Sequence, residues 1–191
     1  VRLPEFLQQQ LKPREGVIVQ IPKDSILYDR PVPEFSDQEE ALKFKSSKFR
    51  YTIADGKTVG THQGAHYFTK GQRKGLAVGG TAEPLFVIDT DVDQNVIYTG
   101  EGKEHQGLYR RALFVDESEI HWIREDLAIN EGENLEVSAR IRYRQTLEKA
   151  TLFKSSDGLY VSFENAQSAI TEGQFVAWYQ GDELLGSGVI S

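Results

Sequence analysis

The chain has 191 residues, 39% of them hydrophobic, with six prolines and a net charge of −7; that suffices for one domain or two small ones and is too apolar for disorder. No apolar run nears the ~20 residues that span a bilayer, and no signal-peptide pattern opens the chain. Cysteine is absent, which excludes a disulfide framework and a thiol nucleophile, and a cytoplasmic home is the expectation.

Val1 opens the chain and methionine is missing altogether, which suggests an excised piece of a longer protein, or a sequence lacking its methionine positions. Charge is unevenly spread. Lys43 to Gly80 carries eight basic residues against Asp55 alone, and Arg140 to Lys154 carries five against Glu148. Two basic stretches in an otherwise acidic chain suit a shaped polyanion better than indiscriminate DNA coating.

Arg2 to Lys12 reads as a short helix, with Leu3, Phe6, Leu7 and Leu11 near helical spacing and Pro13 ending it. Gly16 to Ile21 reads as a strand stopped by Pro22. Pro31 to Lys48 mixes prolines with charges and is expected to be a loop with one helical turn. Phe49, Tyr51 and Ile53 alternate ahead of Asp55-Gly56, a hairpin signal, and Val59 starts the return strand.

Glycines at 60, 64, 71, 75, 79 and 80 punctuate the next stretch too densely for a helix interior or a regular strand. Between Gly71 and Gly75 sit Gln72, Arg73 and Lys74, three donor-rich side chains. Backbone without Cβ atoms can lie against a ligand, and the adjoining donors point to an anionic one. The plainer alternative is a glycine-rich connection whose Arg and Lys are solvated.

Leu85 to Ile88 and Val96 to Thr99 flank a polar turn and form a second hairpin. Asp89, Asp91, Asp93 and Asn95 invite a calcium reading, which fails: neither register has glycine at the sixth position or glutamate at the twelfth. These carboxylates read as a solvated turn.

After Gly107 the rhythm is all β: Tyr109 to Val115, Glu119 to Ile123, Leu135 to Tyr143, Thr151 to Phe153, Leu159 to Phe163, Phe175 to Tyr179 and Leu184 to Ile190. Asp157-Gly158 and Gly181-Asp182 supply tight turns. Short strands with regular turns predict a closed antiparallel β-barrel over 108–191, after a small central β-rich domain over 1–107. The fold class is mainly β.

In the strand from Leu135, the residues Leu135, Val137, Ala139, Ile141 and Tyr143 share one face, and Arg140, Arg142 and Arg144 the other. Three guanidiniums in a row repel one another, and a phosphate backbone would offset them. Acids from a neighbouring strand are the alternative partners. Tyr143, if turned outward at a bulge, could stack on a base.

His62 and His66 have the spacing of a helical metal pair, but glycines surround them and no third ligand is evident. His121-Trp122 reads as core or rim packing. No serine sits in a Gly-x-Ser-x-Gly elbow.

Three ordered motifs carry a family resemblance: His62-x-Gly64 followed by Gly71-Gln72-Arg73-Lys74-Gly75-Leu76 and Gly79-Gly80; Arg142-Tyr143-Arg144-Gln145; and Ala169-Ile170-Thr171-Glu172-Gly173-Gln174 with the ending Leu185-Gly186-Ser187-Gly188-Val189-Ile190. With them the chain resembles the C-terminal portion of the tRNA-specific 2-thiouridylases. Pro22 to Tyr51 matches poorly and reads like an insertion. The Ser-Gly-Gly-x-Asp-Ser pyrophosphatase loop and the two catalytic cysteines of the family are absent from this sequence.

The resemblance implies a parent enzyme that uses ATP and magnesium to activate the wobble uridine of tRNA and takes sulfur from a carrier protein. This portion would bind tRNA beside a missing N-terminal catalytic domain and would itself be inactive, with no catalytic residue, cofactor or metal of its own. By motif position, Arg142, Tyr143 and Gln174 match family tRNA contacts; Arg144 and the Gln72-Arg73-Lys74 loop are physical additions. A rival of another class is a stand-alone β-barrel module that binds protein without catalysis. Which tRNAs bind and the oligomeric state are not legible.

Overall fold

The computed structural model describes residues 13–191; the helix expected at Arg2 to Lys12 lies outside them. The chain forms two compact units that do not follow one another as consecutive pieces. One comprises residues 13–31 with Phe49–Leu108, the other Val32–Lys48 with Tyr109–Ser191. Among the described residues, no helix is long and apolar enough to cross a membrane.

The first unit is a four-stranded sheet. Its strands are β1 (Gly16–Ile21), β2 (Lys57–His62), β3 (Leu85–Asp91) and β4 (Val96–Glu101), in the order β2-β1-β4-β3. β3 and β4 form the expected hairpin. β1 runs parallel to β4 and antiparallel to β2, a pairing no local sequence signal announces. Ile18, Ala65, Leu76, Leu85, Val87 and Ile97 make its core.

The hairpin expected at Asp55-Gly56 does not form. Ile53–Asp55 is a 3-10 turn whose Asp55 carboxylate accepts from Thr52 N at 2.6 Å, and β2 pairs with β1. Phe49 and Tyr51 pack instead around Tyr28, with ring centroids 4.8 and 6.5 Å away. Gly56 is extended, and a Cβ there would meet the Gln20 carbonyl oxygen at 2.3 Å. Close approach, not turn geometry, demands that glycine.

In the second unit, β5 (Tyr109–Asp116), β6 (Ile120–Trp122), β7 (Asn134–Arg140), β8 (Glu148–Lys154), β9 (Gly158–Ser168), β10 (Phe175–Gln180) and β11 (Glu183–Val189) form one sheet, ordered β5-β9-β8-β7-β10-β11-β6. Leu113, Leu152, Val161, Val176, Trp178 and Leu185 lie at its core, with Trp122 packed edge-on against Trp178.

The closed barrel is corrected to a curled half-barrel. β5 and β6 are edge strands without a ladder between them. β6 has three residues, and the 3-10 turn Glu117–Glu119 intervenes. β5 meets β11 through side-chain packing: Gly188 leaves room for Val115, whose Cγ1 would lie 2.4 Å from a Cβ there. The Ser191 N–H also donates to the Phe114 carbonyl at 3.0 Å.

The stretch read as a loop holds a nine-residue helix, α1 (Gln38–Ser46). Asp37 caps it by accepting from Glu40 N at 2.9 Å, and Glu39 and Glu40 favour its positive end. Leu42 is buried against Phe153 and Tyr160, with Phe114 beside them, on the sheet face opposite the main core. α1 therefore covers one end of that outer face.

Candidate nucleic-acid interface

The residues singled out from the sequence fall into two groups, one on each compact unit. In the first unit, the glycine-rich loop is pinned to the edge of β3. The Gly71 N–H donates to the Val87 carbonyl at 2.7 Å and the Val87 N–H to the Gln72 carbonyl at 2.9 Å. Gly71 and Gly75 sit at φ +81° and +91°, where a Cβ is strained.

Gln72 is spent inside the loop. Its Oε1 accepts from Thr69 N at 3.2 Å and its Nε2 donates to the Lys74 carbonyl at 2.8 Å. It braces the loop, while Arg73 and Lys74 are exposed and join no ion pair among the described residues. Lys70, just before the loop, differs: it pairs with Asp89 at 3.2 Å, and both side chains are largely buried. Asp89 is thus not part of a solvated turn.

The basic stretch Lys43 to Gly80 is not one patch. Lys43 and Lys48 lie in the second unit, paired with Glu39 at 2.8 Å and Glu172 at 3.4 Å.

His62 is buried. Its Nδ1 accepts from Gly64 N at 2.9 Å, which leaves Nε2 to donate to the Asn95 carbonyl at 3.2 Å. Both ring nitrogens are engaged, so His62 has no lone pair for a metal. Burial holds its pKa below the ordinary histidine value. His105, which the sequence did not single out, repeats the device: Nδ1 accepts from Gly107 N at 3.2 Å, Nε2 donates to the Ile21 carbonyl at 3.1 Å, and burial lowers its pKa. No three His, Asp or Glu side chains converge on a metal position among the described residues.

In the second unit, β7 ends at Arg140, and residues 141–145 form a turn closed by the Gln145 N–H on the Arg142 carbonyl at 3.1 Å. The strand expected to run to Tyr143 is therefore shorter. Ile141 stays buried, but Tyr143 is 85% exposed, and Arg142 and Arg144 point outward with it.

Among the described residues, neither Arg140 nor Arg142 is paired with an acid. Arg140 Nη2 donates to the Tyr179 hydroxyl at 2.9 Å and Nη1 to the Tyr143 carbonyl at 3.0 Å. Its guanidinium carbon lies 5.2 Å from the ring centroids of both tyrosines. Arg142 Nη2 donates to the carbonyls of Ser168 at 2.7 Å and Ala169 at 3.0 Å, leaving its other donors toward solvent. Arg144 joins no ion pair among the described residues.

Gln174 reaches the same corner through a chain of bonds. The Ala169 carbonyl held by Arg142 also accepts from Thr171 Oγ1 at 3.0 Å, and the Thr171 carbonyl accepts from Gln174 N at 3.3 Å. β10 then pairs Ala177 with Arg140. Arg142, Tyr143, Arg144 and Gln174 thus share one end of the half-barrel sheet. Arg140, Tyr179 and Phe175 belong there too; the two aromatics carry a faint signal, because an aromatic in a strand pattern reads first as core.

Two family models match the chain: the aminomethyltransferase beta-barrel domain over residues 112–190 and the tRNA methyl transferase PRC-barrel domain over 39–101. The chain is 62% identical over its full length to the tRNA-specific 2-thiouridylases MnmA of Christiangramia forsetii and of Flavobacterium johnsoniae. It belongs to the tRNA-specific 2-thiouridylase family. A third relative of the same name, from Karelsulcia muelleri, is 42% identical over 191 residues. The chain spans about half the length of the curated relatives it matches, 48% of the first two. Within this family, the Arg142–Gln145 turn lies inside the segment matched as a β-barrel domain, and the glycine-rich loop inside the segment matched as a PRC-barrel domain.

Proposed function

We propose that this chain is the tRNA-binding part of an enzyme that 2-thiolates the wobble uridine of tRNA. Arg142, Tyr143, Arg144 and Gln174 form one contact and Arg73 and Lys74 another, with Gln72 bracing the second. The observation that carries this reading is the corner at the end of β7. There a tyrosine stands 85% exposed over the Arg140 guanidinium, between two outward arginines without acidic partners among the described residues. Guanidiniums bond phosphate oxygens in forked geometry, and an exposed ring offers a stacking face to an unpaired base. The name shared by the 62%-identical relatives favours tRNA over other polyanions. In the whole enzyme, ATP, magnesium and a sulfur-carrying partner would act on an N-terminal catalytic domain. This chain would hold and orient the RNA without chemistry of its own.

Affinity for tRNA measured against salt tests the reading. Phosphate contacts release counterions, and each contributes a slope of about −0.7 to −0.9 in log affinity against log salt. We expect binding with a slope of several such contacts, reduced in Arg142→Ala and in Arg73→Ala. Salt-independent binding, or tight capture of acidic protein in preference to tRNA, would favour a protein-interaction module instead.

A further inference from the structure

We propose that Phe175, together with Tyr179 and Arg140, forms a base-stacking strip on the outer face of the half-barrel, and that it takes an unpaired stretch of RNA. The inference rests on the tRNA-binding reading and specifies the form of RNA engaged.

β10 alternates strictly. Val176 and Trp178 are fully buried in the core, so Phe175, Ala177 and Tyr179 face the other way, and Phe175 is 64% exposed. A lone surface phenylalanine would mean little; this one has company. Ala177 pairs with Arg140, so the two rings flank the arginine from two residues to either side, about 13 Å apart along the strand. The small Ala177 leaves the space between them open. Arg140 is fixed by its bond to the Tyr179 hydroxyl and lies 5.2 Å from the centroids of both Tyr179 and Tyr143. The result is two aromatic rings, Tyr143 and Tyr179, beside one held guanidinium, with Phe175 exposed further along the same face; sheets take single-stranded nucleic acid with this composition.

The same face continues into a groove of about 620 Å³, lined among others by Ser138, Lys149, Thr151, Ser162, Glu164 and Tyr179. Its hydroxyls suit 2′-hydroxyls and base edges. Glu164, like Glu136 on the same groove, accepts hydrogen bonds from base amino groups and repels phosphate. Two carboxylates beside the single cation Lys149 make this floor better suited to base edges than to a run of phosphates. α1 covers the far end of the outer face through Leu42. A paired A-form helix keeps its base faces stacked away, so only an unpaired segment can use the strip.

The test compares the 191-residue chain with its Phe175→Ala and Phe175→Trp variants. The probes are an RNA hairpin with 2-aminopurine in its loop and a fully paired duplex of the same stem. Phe175→Ala should weaken hairpin binding roughly five- to hundredfold. Its salt slope should be unchanged, since no counterion contact is lost, and its melting temperature should be preserved. Phe175→Trp should restore affinity, with quenching of the loop probe on binding. Unchanged hairpin affinity in Phe175→Ala overturns the inference and leaves the tRNA-binding reading standing. So does an equal loss for hairpin and duplex. Failure of the unaltered chain to bind either RNA overturns both.

Discussion

The Arg142 guanidinium donates to the Ala169 carbonyl at 3.0 Å, and Ala169 holds φ +55°, a left-handed conformation unfavourable for a residue with a Cβ. Thr171 Oγ1 bonds the same carbonyl at 3.0 Å. The turn that delivers Gln174 is thus held partly by the residue proposed to touch RNA. Arg142→Ala should lower the stability of the second unit by about 1–2 kcal/mol, the range for a partly exposed charge-assisted bond. It should reduce tRNA affinity as well. Arg142→Lys keeps the charge but not the fork, and should recover salt slope better than melting temperature. Calorimetry with binding titrations separates the two roles; an unchanged melting temperature in Arg142→Ala would make Arg142 a ligand contact alone.

That double duty shows where sequence reading stops. Periodicity found β1, the β3–β4 hairpin and most strands of the second unit, because apolar alternation and turn residues are local. It overran β7, since Tyr143 continues the apolar alternation although the chain has already turned at Ile141. It missed α1, where Pro31, Pro33 and dense charge hid an Asp37 cap with Glu40 three residues on. Closure of the sheet was illegible for another reason: β5 and β6 lie at opposite ends of the strand order, with a 3-10 turn between them and only three residues in β6, and none of this has a period. At the site, residue types were legible, but their commitments were not. Gln72 looks like a free donor in the sequence and proves to be a brace.

The loop in the first unit divides its labour accordingly. Arg73→Ala and Lys74→Ala should leave the melting temperature within about 0.5 kcal/mol equivalent of the parent, as for exposed side chains without partners. Arg73→Ala should reduce tRNA affinity by roughly 1–3 kcal/mol. Gln72→Ala removes the bonds to Thr69 N and the Lys74 carbonyl, and Gly75→Ala forces a Cβ into φ +91°. Each should loosen the loop by about 1 kcal/mol or more, and weaken binding without removing a cation. Full affinity in all four variants would remove the loop from the interface.

Stability should fall on mild acidification. His62 and His105 are buried with both ring nitrogens engaged in the neutral form, and burial lowers both pKa values from 6.5. A histidine whose folded pKa lies below its unfolded one binds fewer protons when folded. Its contribution is therefore intact above about pH 6.5 and is lost as pH falls through the folded value. Melts at pH 7.5, 6.5 and 5.5 should show the first unit's transition dropping over this range, well above the region where carboxylates titrate. His105→Gln should flatten the profile at the cost of a lower plateau. A transition that does not move between pH 7.5 and 5.5 would contradict the assignment of neutral rings.

The segment expected to be an insertion supplies the last test. Leu42 is 5% exposed and meets Phe153 and Tyr160 on the outer face of the sheet. α1 is therefore part of the second unit's packing. Leu42→Ala should cost about 2–3 kcal/mol, the lower part of the range for a buried leucine, because the site lies at the edge where neighbours can relax. Asp37→Ala, which removes the cap on Glu40 N, should cost about 1 kcal/mol. Lys43→Ala breaks only the exposed pair with Glu39 and should stay within about 0.5 kcal/mol. Urea denaturation read by the near-ultraviolet signal of Trp178 and its neighbours would order the three variants. A Leu42→Ala loss no larger than that of Lys43→Ala would mean that the half-barrel stands without its helix. A loss of the expected size makes residues 32–48 a required component of the sheet's outer face, since no other described helix is available to cover Phe153 and Tyr160.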